Sequence, residues 1–138
     1  VTATFEAGET TATYAGNQID AAGGIITARQ RTGDFFSVAG MAAMNISIPA
    51  DLAANVVRLQ YQVAASAAGP WGDARDEAGE LIQTPKADSS KTLQDCKGDV
   101  LLVDVNMFAA AFVKIVPLNV GDTAEAPGAV VFEISLKE

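Results

Sequence analysis

The chain has 138 residues, with 9 basic against 17 acidic side chains and a formal charge of −8. That length suits one domain with a two-layer core, and the acidic balance argues against nucleic acid or an anionic membrane as a charge-bound partner. It holds no histidine and one cysteine, which removes Ser-His and Cys-His nucleophile pairs, the commonest zinc ligand and any internal disulfide.

Thr2 to Glu6 and Thr10 to Tyr14, rich in threonine and aromatics around Gly8, predict a hairpin or a strand pair at a sheet edge. Ala15-Gly16-Asn17 is a turn signal. Gly23-Gly24 opens a β-like run, Ile25 to Gln30, which Gly33-Asp34 breaks. Phe35 to Ala39 and Met44 to Ile48 are further strands, the second alternating with Met44, Ile46 and Ile48 on one face until Pro49 ends it. Ala50 to Asn55 fits one helical turn after the proline. Val56 to Val63 sets Val57, Leu59, Tyr61 and Val63 against Arg58, Gln60 and Gln62, the two-residue period of a half-buried strand. A small-residue turn then leads through Pro70 to Trp71, the sole tryptophan.

Asp73 to Gly79 is a charged turn. Leu81 to Gln83 is a short strand stopped by Pro85. Lys86 to Lys97 reads as a polar loop with a strand around Thr92-Leu93. Val100 to Val105 is a mainly apolar stretch, and Asn106 to Ala110 is a tight turn with a buried phenylalanine. Phe112 to Val116 is a strand, Asn119 to Gly128 an acidic loop. Ala129 to Leu136 closes the chain with Val130, Phe132, Ile134 and Leu136 inward and Glu133 and Ser135 outward. Roughly eight to ten short strands separated by turn residues, without a long helical period, predict an all-β fold: a single antiparallel β-sandwich, jelly-roll-like, over residues 1–138. No run approaches the roughly 20 apolar residues of a membrane-spanning helix. No signal-peptide pattern opens the chain, and Val1 fits removal of an initiator methionine.

Few groups are suited to chemistry. No nucleophile elbow, Walker loop or dinucleotide fingerprint occurs. Asp73, Asp76, Glu77 and Glu80 lie close together, but their spacing does not match a calcium loop, and a solvated charged turn accounts for them. Cys96 has Lys97 beside it but also Asp95 and Asp99, which suits an inert, partly buried thiol better than a reactive one. The sequence therefore predicts no catalytic residue, no metal site and no cofactor.

Candidate contact residues are of another kind. Phe35 and Phe36 are neighbours on a strand, so one ring should face away from the core, toward a partner or a covering layer. Arg29 and Arg31 share a face if that segment is extended, and form a small basic island in an acidic chain. Trp71 is a candidate ligand or partner contact at a loop end, against the simpler role of plugging one end of the sandwich beside Pro70.

Residues 44–138 resemble a group of small bacteriophage virion structural proteins with a β-sandwich fold, of the capsid decoration type. The residues that carry the resemblance are Ile48-Pro49, Leu59 to Val63, Gly69-Pro70-Trp71, Asp76-Glu77-Ala78-Gly79, Asn106-Met107-Phe108, Phe112 to Ile115, Ala126-Pro127 and Val130 to Leu136, in that order. The strand, turn and tryptophan are also similar to discoidin-like carbohydrate-binding jelly rolls. The first resemblance implies a virion component with a β-sandwich fold, without saying which part of the virion. Together with the absence of catalytic groups, it leads to the expectation of a non-enzymatic capsid decoration or cement protein, bound to the major capsid protein or other virion proteins on the outer head surface. It would be assembled in the host cytoplasm as a homo-oligomer, with a trimer expected. Residues 1–40 would dock or exchange between subunits. The alternatives are a carbohydrate-binding module of a tail or fibre, and a neck or tail adaptor.

Overall fold

The computed structural model describes residues 1–16, 18–19, 25–26 and 32–138. In chain order the strands are β1 (Thr2–Phe5), β2 (Thr13–Ala15), β3 (Gln18–Ile19), β4 (Ile25–Ile26), β5 (Thr32–Gly33), β6 (Phe36–Ser37), β7 (Ala43–Ser47), β8 (Arg58–Ala64), β9 (Gly72–Asp73), β10 (Gln83–Thr84), β11 (Val100–Asp104), β12 (Phe112–Leu118) and β13 (Val130–Lys137). They form a first sheet in the order β11-β7-β13-β1-β2-β5 and a second in the order β10-β8-β12-β6, with β9 beside β8. β3 and β4 pair separately.

Eight of these strands carry the topology. β1 pairs with β13, β6 with β12, β7 with β11, and β8 with β10, all antiparallel. Taken in chain order, first pairs with last, second with seventh, third with sixth and fourth with fifth. That concentric pairing is a jelly roll, folded across two sheets. β2 and β5 extend the first sheet beyond β1.

The alternation read from the sequence places the core. On β13, Val130, Phe132 and Ile134 are buried and Val131, Glu133 and Ser135 exposed; on β7, Met44 and Ile46 are buried and Asn45 exposed. Phe5 and Phe132 meet edge to face at 5.7 Å. From the second sheet come Phe36, Leu59, Tyr61, Val113 and Ile115.

One edge of β12 is satisfied piecewise. β6 pairs only with Phe112 and Val113, so beyond it the backbone of β12 needs other partners. The Tyr14 hydroxyl supplies them at Ile115, accepting from its N–H at 2.7 Å and facing its carbonyl at 3.4 Å. Two residues on, Glu125 N–H donates to the Pro117 carbonyl at 2.9 Å. Pro117 is tolerated inside β12, and the strand runs past Val116, because among the described residues no named strand pairs with it on that side, where the segment around Ala124 only bridges to Leu118.

Four local expectations are corrected. The β1–β2 pair is not at a sheet edge, since β13 flanks β1 and β5 flanks β2. Ala50 to Asn55 forms two turns, closed by Leu52 N–H to the Pro49 carbonyl and Val56 N–H to the Ala53 carbonyl, not a helical turn. Thr92-Leu93 opens a 3-10 turn (Leu93–Cys96) instead of a strand: Asp95 accepts from Thr92 N–H at 2.8 Å, a capping arrangement, and Leu93 is driven into the core. Gln60, expected outward, is buried beside its cross-strand neighbour Gln83, whose amide donates to Asp122 at 3.0 Å from the acidic loop.

Candidate contact site on the second sheet

Side chains alternate along the second sheet, so Phe112, Lys114 and Gln62 share its outer face while Val113, Ile115 and Tyr61 point inward. Phe35 and Phe36 divide as neighbours on an extended segment should. Phe36 is fully buried, 5.3 Å from the Tyr14 ring. It therefore faces the core and not a partner. Phe35 turns out, is half-buried, and packs edge-on against Phe112 at 5.4 Å.

Trp71 joins the same cluster. The turn before it is closed by Gly69 N–H to the Ser66 carbonyl at 3.0 Å and by Ser66 Oγ to the Gly69 carbonyl at 2.8 Å. Gly69 has φ +88°, and a Cβ there would lie 3.0 Å from Trp71 Cδ1. The positive φ favours glycine at this position, and a side chain there would crowd the indole. The indole then lies 5.8 Å from the Phe35 ring, with Lys114 Nζ 4.1 Å above its centroid. The same ammonium is 3.4 Å from Asp34 Oδ2. Gln62, opposite Lys114 in register, donates weakly to Asp73 at 3.4 Å.

The structure thus brings Phe35 and Trp71 together, with Phe112, Lys114 and Asp34 added. Arg29 and Arg31 lie outside the described residues. No local signal pointed to Lys114: it reads as a polar residue on an alternating strand, and its tryptophan is supplied by a distant turn.

Among the described residues, the patch is an aromatic surface with one cation. The hollow beside it, lined by Thr10, Thr11, Asp34, Gln62 and Lys114 among others, measures about 150 Å³. Small-molecule pockets are usually about 300 Å³ or more. Lys114 also covers one face of Trp71, where a sugar ring would stack.

Both tyrosines and the cysteine are shifted toward their neutral forms. Burial pushes the Tyr14 and Tyr61 phenols far above the usual tyrosine range. Burial, then Asp95 and Asp99, raise the Cys96 thiol. Asp76 caps its own turn, accepting from Ala78 N–H and Glu80 N–H at 2.9 Å each. No cluster of three or more metal-ligating side chains occurs among the described residues.

No family model, curated protein or solved structure matches the chain.

Proposed function

We propose that the domain is a non-enzymatic bacteriophage virion protein, a capsid decoration or cement protein that binds the outer head surface. What supports this reading is the order of strands and turns over residues 44–138, which resembles such proteins, together with the jelly roll that those strands close. The outer face of the second sheet then serves as a contact surface: Phe35 and Trp71 supply apolar area and Lys114 a single charge. Contacts of this size are weak singly and add up when a symmetric shell repeats them.

Residues 1–40 are the proposed docking or exchange segment. Exchange would carry β1 with it, moving Ala3 and Phe5 from one core to another. The test is to titrate purified protein onto undecorated capsids and count bound copies. Saturation at hundreds of copies supports decoration. A few copies per particle support the neck or tail adaptor, and bare capsids refute both.

The half-buried Trp71 at a loop end favours a second reading, a carbohydrate-binding module of a tail or fibre. Lys114 over the indole weighs against it. A glycan array separates the two, since a decoration protein should bind no sugar there.

A further inference from the structure

β11 is the outer strand of the first sheet, and its side chains do not suit an edge left in water. Its sequence is Val-Leu-Leu-Val-Asp, with Val100 58% and Leu102 74% exposed on the outer face. Edge strands left open to solvent are normally protected by lysine, proline or a bulge, because their free backbone groups invite pairing. Between Val100 and Asp104 this strand has none of the first two.

The backbone direction is fixed at both ends. Ile48 N–H donates to the Asp99 carbonyl at 2.9 Å, and Val105 N–H donates to the Ala42 carbonyl at 3.1 Å. With the register Leu101↔Ile46 and Val103↔Met44, residues 99, 101, 103 and 105 turn toward β7. Val100, Leu102 and Asp104 therefore turn their N–H and C=O groups outward, away from the sheet.

We infer that the β11 edge pairs with β11 of a second copy of this chain, antiparallel about a two-fold axis at Leu101. That register sets Val100 opposite Leu102 of the second copy, and Leu102 opposite its Val100. Both pairs have their backbone groups turned toward each other, so four hydrogen bonds form. The exposed valine and leucine cover one another on a single face. The same register sets Asp104 opposite Gly98 of the second copy, so no two carboxylates oppose each other directly across the new edge. The neighbouring register, centred on Leu102, would instead oppose Val100 to Asp104 twice. The complementarity is to the strand itself, which is why the occupant is a second copy and not an unrelated peptide. The sequence-based expectation of a trimer is replaced by a two-fold pair, and the inference does not depend on the proposed function.

Two five-residue strands bury less than a standard interface of about 1,600 Å², so the dissociation constant belongs in the micromolar to millimolar range. The experiment is sedimentation velocity on the full chain from about 5 µM to about 1 mM, with amide hydrogen exchange at both ends of that range. A two-fold mass at high concentration, with slowed exchange at Val100 and Leu102, is the expected result. Leu102→Lys should weaken the dimer at least tenfold. Leu102→Pro should do the same while leaving the melting temperature nearly unchanged, because the N–H it removes points outward and bonds to none of the described residues. A protein monomeric throughout, a trimer, or a dimer that survives both substitutions overturns the inference.

Discussion

Replacing Tyr14 by phenylalanine removes one oxygen atom and tests how the edge of β12 is completed. The Tyr14 side chain is 1% exposed, and its hydroxyl meets both the N–H and the C=O of Ile115. The ring of phenylalanine would keep its packing against Phe36, so the change isolates the polar contact. Two backbone groups would lose their partner in the interior. Leaving such a group unsatisfied costs about 1–3 kcal/mol. The entropy of unfolding is about 2.1 cal/mol/K per residue, or roughly 0.3 kcal/mol/K for a chain of 138 residues. The melting temperature should therefore fall by about 3–10 °C. Calorimetry on wild type and variant measures this directly. Tyr61→Phe is the internal comparison: its hydroxyl bonds Thr84 Oγ1 at 2.7 Å, and Thr84 is half-buried and free to turn to water. That variant should lose only about 1 kcal/mol. A Tyr14→Phe protein that melts within about 1 °C of wild type, or a larger loss from Tyr61→Phe, would refute the assignment of Tyr14 as the missing edge partner.

Alkaline pH acts on the same two residues. Tyr14 and Tyr61 are the only tyrosines, and both are raised above the ordinary value of 10. Their contribution to stability should be intact below about pH 10 and decline above it, by up to about 1.4 kcal/mol per pH unit for each, as the unfolded chain ionises first. Phenolate absorbance should accordingly appear only with unfolding; a gradual rise near pH 10 in the folded protein would contradict the burial. Gly69→Ala places a side chain at φ +88° and 3.0 Å from Trp71; it should cost about 1–2 kcal/mol and shift the emission of the lone tryptophan to the red. Unchanged emission and stability would mean that this turn does not set the indole. Lys114→Met keeps the aliphatic stem and removes the charge over Trp71, with an expected loss of about 0.5–1 kcal/mol. Its link to Asp34, which is 69% exposed, adds little and should vanish in high salt. A loss above about 2 kcal/mol would show that the ammonium carries more of the cluster than its exposure allows.

Where the sequence was legible, the signal was local. Val130 to Leu136 and Met44 to Ile48 alternate so regularly that their inward residues could be named, and adjacent Phe35 and Phe36 had to point apart. The pairing of Thr2 with Glu133 leaves no such mark, since neither residue carries information about the other. Val100 to Val103 illustrates the ambiguity of a short apolar run: such a run does not say which of its residues face the core, and Val100 and Leu102 are exposed. Thr92-Leu93 misled for the opposite reason. β-prone residues there are overridden by the Asp95 cap and by burial of Leu93 in a turn. The contact cluster was half visible. Phe35 and Trp71 stood out by type, but Lys114 and Phe112 acquire meaning only when β12 is laid across the turn that carries Trp71.

The concentric pairing of the strands also sets the order in which the chain can finish itself during synthesis. Of the strands of this domain, β1 leaves the ribosome first and β13 last. Until β13 emerges, β1 lacks one of its two neighbours, and Phe5 lacks Phe132 to pack against. The fourth–fifth pair, β8 with β10, has no such wait, because both strands are close in sequence. Closure therefore proceeds outward from the middle of the chain, and the nascent amino-terminal strand stays open the longest. Long-range closure of this kind is slow and leaves strand edges exposed to neighbours in the meantime. A ribosome-bound chain stopped before Val130 should be digested at β1 by proteases that spare the released protein.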